Sequence, residues 1–111
     1  MKLPAQDAVV PGAKLTDYLL SPAHPDGRSK ARFLARLGYS RDDWQRLESD
    51  LRSQLTLDAE PGKHSPYGQK YEILGWLTGP NGTGAWIRTV WIVLTDETQA
   101  RLVTLIPEER R

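Results

Sequence analysis

The spacing of the apolar residues changes once along the chain, near its midpoint, and this restricts the fold more than any other feature. In the first half they recur at helical spacing. Leu15, Tyr18 and Leu19 mark about two turns, which Pro22 and Pro25 then break. Ala31, Phe33, Leu34 and Leu37 form a second stripe, with Asp26 as its expected N-cap and Gly38 where a C′ glycine ends a helix. Trp44, Leu47, Leu51 and Leu55 form a third, opposite Arg41, Asp42, Arg46, Glu48 and Arg52. Ser40 with Asp43 resembles a capping box, and Tyr39 and Trp44 hold the positions of a hydrophobic staple. Together they predict a helix over 40–55.

Residues 56–68, rich in proline and glycine, are expected to be a loop. Beyond them the period falls to two. "QKYEILGWLT" alternates Tyr71, Ile73, Gly75 and Leu77 against its other face, and "GPNGTG" carries the hairpin signal Asn81-Gly82. "AWIRTVWIVLT" is apolar on both faces, as a central strand is, and "ARLVTLI" is a last strand that Pro107 terminates. Short turns between consecutive strands imply an antiparallel meander. The expected fold is therefore α+β, with N-terminal helices, two of them substantial, packed on a C-terminal antiparallel sheet of three or four strands. A length of 111 residues suits one modest core, so 1–111 reads as a single domain.

Several function classes drop out on composition. With no cysteine there is no disulfide, no thiolate metal site and no cysteine nucleophile. A net charge of +1 gives no strong overall field toward nucleic acid, though it leaves room for a local basic patch. The start "MKLPAQDAVV" lacks the apolar stretch of a signal peptide, and no run approaches the roughly 20 apolar residues of a membrane span, so the expected location is cytoplasmic. P-loop, dinucleotide-binding, zinc and nucleophile-elbow motifs are absent. The two histidines, His24 and His64, make a poor metal site on their own, and no metal or cofactor is expected.

Two places carry polar residues that a purely structural account does not require. In "SPAHPDGRSKARF", His24 lies in a loop and Arg28 and Lys30 follow at the start of a helix, where positive charge opposes the helix dipole but free backbone N–H groups suit a phosphate. Its plainer reading is a turn histidine beside a solvated helix face. In "AWIRTVWIV", Arg88 shares a strand face with Trp86, Val90 and Ile92. It requires open solvent, a carboxylate such as Glu72, or a ligand.

The strings "KLTDYLLSPAHPDGRSKARFLARLGY", "YGQKYEI", "IRTVWIV" and "RLVT", in that order, resemble a family of small bacterial domains of uncharacterised function, from Lys2 to about Pro107. The pattern H-P-x-G-x-x-K-A with its following strands is also distantly similar to polymorphic toxin domains of the barnase, colicin D and RelE group. The resemblance implies a metal-independent ribonuclease-like toxin domain, with RNA and a small protein encoded by a neighbouring gene as partners. Cleavage of this kind needs a base for the 2′-hydroxyl, an acid for the leaving oxygen and cations on the phosphate. Carried onto this chain, His24 is the base or acid, Lys30 and Arg88 neutralise the phosphate, and Thr104 donates a hydrogen bond. Tyr67, Tyr71 and Trp91 are available to stack a base. The alternative is a non-catalytic protein-binding module: an antitoxin, an immunity protein or another partner-binding protein. A cleft joining His24, Lys30 and Arg88 favours the enzyme. Dispersal of the three, with an exposed apolar patch elsewhere, favours binding.

Overall fold

The computed structural model describes residues 1–108. Helical segments occupy most of the first half: α1 (Gly12–Lys14), continued by a π-helical turn (Leu15–Leu19), α2 (Arg28–Arg36) and α3 (Trp44–Ser53). Four strands follow: β1 (Glu60–Ser65), β2 (Gly68–Thr78), β3 (Gly84–Leu94) and β4 (Ala100–Pro107). They form one antiparallel sheet in the order β1-β2-β3-β4.

The two long strands pair without interruption from Gly68↔Leu94 to Thr78↔Gly84. Strict alternation sends Ile73, Gly75 and Leu77 of β2, and Ile87, Thr89 and Trp91 of β3, toward the helices. There they meet Leu15, Leu19, Leu34, Leu47, Leu51 and Leu55 in one buried core. The opposite face carries Glu72, Leu74, Trp76, Trp86, Arg88 and Ile92 and stays open, with Trp76 51% and Trp86 36% exposed. Among the described residues no helix is long and apolar enough to cross a membrane.

Helix α2 ends on a Schellman motif. Tyr39 N–H donates to Leu34 O at 3.1 Å and Gly38 N–H to Ala35 O at 3.0 Å, with Gly38 at φ 96°. A side chain at that φ is strained, so glycine here stops the helix and turns Tyr39 into the core.

The expected architecture, two substantial helices on a C-terminal sheet of three or four strands, is corrected on three counts. First, residues 60–65 are strand β1 and not loop. Their side chains are almost all exposed, and β1 pairs with one neighbour only, so backbone hydrogen bonds to β2 define it with no apolar alternation to reveal it. Second, the helical part is three short helices linked by tighter and wider turns. The expected helix 40–55 begins as a 3₁₀ turn (Arg41–Asp43) and ends as another (Gln54–Thr56), and neither Ser40 nor Asp26 caps a helix through its side chain. Third, the N-terminal half also enters the sheet. Val9 N–H donates to Ala100 O at 2.8 Å and Leu102 N–H to Val9 O at 3.0 Å, a parallel bridge that covers part of the β4 edge.

Candidate functional site

Three pieces of chain converge beside β4. The first is the π-helical turn, closed by Leu20 N–H to Leu15 O at 2.8 Å. It buries Leu15, Leu19 and Leu20 together while leaving Tyr18 half-buried at the rim. Single π turns are frequent at functional sites because the extra residue re-aims a side chain. The second piece is the turn His24–Gly27, in which His24 O accepts Gly27 N–H at 3.2 Å and Arg28 N–H at 2.9 Å. A Cβ on Gly27 would collide with the Tyr18 carbonyl, so only glycine lets this turn close against the π-helical turn. The third is a bulge in β4. Val90 faces Thr104 but Trp91 faces Leu102, which leaves Val103 as the additional residue and re-aims its neighbour Thr104.

The side chains meet as a result of these three backbone features. Tyr18 and Thr104 hydroxyls share a hydrogen bond at 2.9 Å. The His24 ring packs edge-on against Tyr18 with centroids 5.0 Å apart, and Lys14 Nζ lies 5.8 Å from the Tyr18 ring centre. His24 Nδ1 accepts the N–H groups of Asp26 at 3.0 Å and Gly27 at 3.1 Å. An acceptor Nδ1 places the proton of the neutral ring on Nε2, which makes that nitrogen a donor. Lys14, Tyr18, His24, Asp26, Val103 and Thr104 line an open hollow of about 420 Å³. One aromatic hydroxyl, one aliphatic hydroxyl, an imidazole, an ammonium and a carboxylate therefore share a single concave surface.

Of the residues singled out from sequence, His24 and Thr104 come together here. Lys30 sits half-buried in α2 and does not line the hollow. Arg88 lies on the open face of the sheet, where Nε donates to Glu108 at 3.1 Å and Nη1 to Glu72 at 3.4 Å. The hydrogen bond to the Glu108 carboxylate pushes the Arg88 pKa up, against the opposing effect of partial burial. Tyr67 is 78% exposed in the turn between β1 and β2. Tyr71 points to the helical side and packs against the core. Trp91 is fully buried and donates its indole N–H to Thr89 at 2.9 Å. The stacking role expected of Trp91 is corrected, since no base reaches a face enclosed by the core.

Lys14, Tyr18 and Asp26 are the polar members of the hollow not anticipated as functional. Tyr18 carries the spacing of an apolar stripe and Asp26 stands where an N-cap belongs, so both have ordinary structural explanations in the sequence. The one signal that could have found them is the H-P-x-G turn a few residues after Tyr18, whose glycine the close approach to Tyr18 requires.

Helices followed by an antiparallel meander make a fold found elsewhere. A chain of a contact-dependent growth inhibition toxin–immunity protein complex from Klebsiella pneumoniae 342 superposes with a TM-score of 0.73 at 18% identity, covering 96% of this chain and 97% of that one. At that identity the likeness is one of fold. The chain belongs to the family described as domain of unknown function (DUF6883), which matches residues 2–109. No curated protein matches the sequence.

Proposed function

We propose that the protein is a ribonuclease-like toxin domain that cleaves RNA at the His24 hollow without using a metal ion. The observation that carries this reading is the convergence of His24, Tyr18 and Thr104 with Lys14 and Asp26 on one concave surface. The shared fold with a chain of a toxin–immunity complex supports, as an analogy of architecture, a domain of a toxin system, a setting common to a ribonuclease-like toxin and a partner-binding module.

The chemistry assigns a role to each group. Asp26 accepts the 2′-hydroxyl proton, and the 2′-oxygen attacks the adjacent phosphorus. The bond to the 5′-oxygen breaks while His24 Nε2–H donates a hydrogen bond to it, and that oxygen takes its proton from water, leaving a 2′,3′-cyclic phosphate and a free 5′-hydroxyl. Lys14 balances the charge that gathers on the phosphate oxygens, and the paired hydroxyls of Tyr18 and Thr104 supply an oriented donor to them. With Nδ1 engaged by two backbone N–H groups, the neutral His24 ring keeps its proton on Nε2 and acts as a fixed hydrogen-bond donor, neither taking up nor giving up a proton.

A second reading, a non-catalytic module that binds a small protein partner, is favoured by the dispersal of His24, Lys30 and Arg88 over separate surfaces together with an exposed apolar patch elsewhere. The open sheet face presents Trp76 and Trp86 in edge-to-face contact at 5.6 Å, with Ile106 42% exposed. Aromatic residues of this kind anchor protein interfaces.

Purified protein incubated with total RNA in excess EDTA separates the two. Cleavage to cyclic-phosphate ends is expected from the wild type. His24→Asn is the informative variant, because an asparagine oxygen accepts the same backbone N–H groups that Nδ1 accepts and keeps the turn intact. It is expected to retain the melting temperature and lose cleavage. Intact RNA after prolonged incubation with wild-type protein, together with no toxicity on expression, overturns the nuclease reading in favour of the binding module.

A further inference from the structure

The near-neutral net charge conceals a strong segregation. Between residues 27 and 41 there are five cations, Arg28, Lys30, Arg32, Arg36 and Arg41, and no acid, while over the rest of the chain acids outnumber cations. Among the described residues, none of Arg28, Lys30, Arg32 or Arg36 forms an ion pair, whereas Arg41 is held by Asp17 at 3.2 Å. Arg28, Arg32 and Arg36 recur every fourth residue along α2, so they form a ladder with a rise of about 6 Å per step. Arg28 occupies the first helical position, where its charge opposes the dipole and no acidic residue in the first turn offsets it.

Arg28, Arg32 and Arg41 rim a groove of about 570 Å³ whose floor includes Pro22, Ala31 and Ala35. The connection from Leu20 to Arg28 contributes to both cavities, with Leu20, Pro22 and Arg28 lining the groove and His24 and Asp26 lining the hollow. We infer that this groove is a binding surface for the phosphate backbone of single-stranded RNA, which leads the strand into the His24 hollow; the inference rests on the ribonuclease reading for its substrate. The occupant follows from charge and shape. A ladder of guanidinium groups matches repeating phosphates, each recognised by a planar fork of donors. An apolar floor between arginine planes accepts unpaired bases, which a duplex does not offer. Lys30, expected from sequence as a phosphate-neutralising cation, belongs to this same basic helix.

The test uses a fluorescein-labelled 2′-deoxy 12-mer, which binds as a strand and has no hydroxyl to react, and follows anisotropy across a salt series. Wild-type protein is expected to bind it with an affinity that falls as salt rises. R28Q/R32Q is expected to weaken binding by about tenfold or more and to lower the slope of log K against log salt by about 1.4, the value for two phosphate contacts on a single strand. R46Q/R101Q, which removes the same charge elsewhere, is expected to change affinity by less than about twofold, and Arg28 and Arg32 are exposed, so their variants keep the fold. No binding by wild-type protein, or equal affinity and slope in R28Q/R32Q, overturns the inference; the first result would point to an acidic protein on this surface. If the oligonucleotide binds through these arginines but RNA is left intact, the surface stands and the catalytic reading falls.

Discussion

The hydroxyls of Tyr18 and Thr104 meet at 2.9 Å across 86 residues of sequence, and this contact ties the π-helical turn to the bulge of the edge strand. Both residues are half-buried, so the hydrogen bond is shielded from water yet borders the hollow. Tyr18→Phe removes it and keeps the ring against His24. The loss of stability is expected to be about 0.5–1.5 kcal/mol, the usual worth of one such bond. If the hydroxyl pair also donates to the phosphate, cleavage should fall by about tenfold or more, equivalent to about 1.4 kcal/mol of barrier. Urea unfolding and single-turnover RNA cleavage on the same preparation check both halves.

Arg88 takes up the carboxylates of Glu72 and Glu108 on the opposite side of the sheet from the core. Such a partly exposed pair contributes little, so Arg88→Met should change stability by roughly 0–1 kcal/mol. Cleavage should stay within about twofold of wild type, since Arg88 does not line the hollow. A collapse of activity with unchanged unfolding would return Arg88 to the site.

Tyr39 supplies a pH dependence. Its ring is 4% exposed and its hydroxyl donates to Asp50 at 2.6 Å. Burial, then the hydrogen bond to the Asp50 carboxylate, push its pKa well above the ordinary value of 10. With the folded pKa raised, the unfolded chain releases this proton first, so stability from Tyr39 is complete below pH 10 and is lost as pH climbs above it. The difference in unfolding free energy between wild type and Tyr39→Phe should therefore be constant from neutral pH to about pH 10 and shrink beyond it. Chemical denaturation at a series of alkaline pH values reads that difference directly.

Leu51 is fully buried between α3 and the rest of the core, in company with Leu47 and Leu55. Leu51→Ala should cost about 2–5 kcal/mol, and the cavity it leaves cannot collapse easily among so many enclosed neighbours. A shift in the denaturation midpoint with an unchanged slope is the expected signature.

By itself, the sequence determined what local spacing and backbone chemistry determine. The stripe Leu47, Leu51, Leu55 is buried as a helical period requires, β2 falls where alternation begins and β3 where a run apolar on both faces begins, and Gly38 ends α2 by its freedom to take a positive φ. His24 and Arg88 stood out because an imidazole in a loop and a charge in an apolar strand each demand a partner. Only the tertiary structure decided which partners those are. Strand β1 exists because β2 offers it an unpaired edge, and no side-chain pattern in "EPGKHS" encodes that offer. The grouping of Lys14, Tyr18 and His24 with Thr104 depends on a π turn, a glycine contact and a one-residue bulge. The π turn and the bulge each shift a side chain by about one position, and the glycine lets the His24 turn close against the π turn. Arg88 and His24 parted for the same reason: strand alternation places one on the open face, and the turn before α2 holds the other beside the β4 edge.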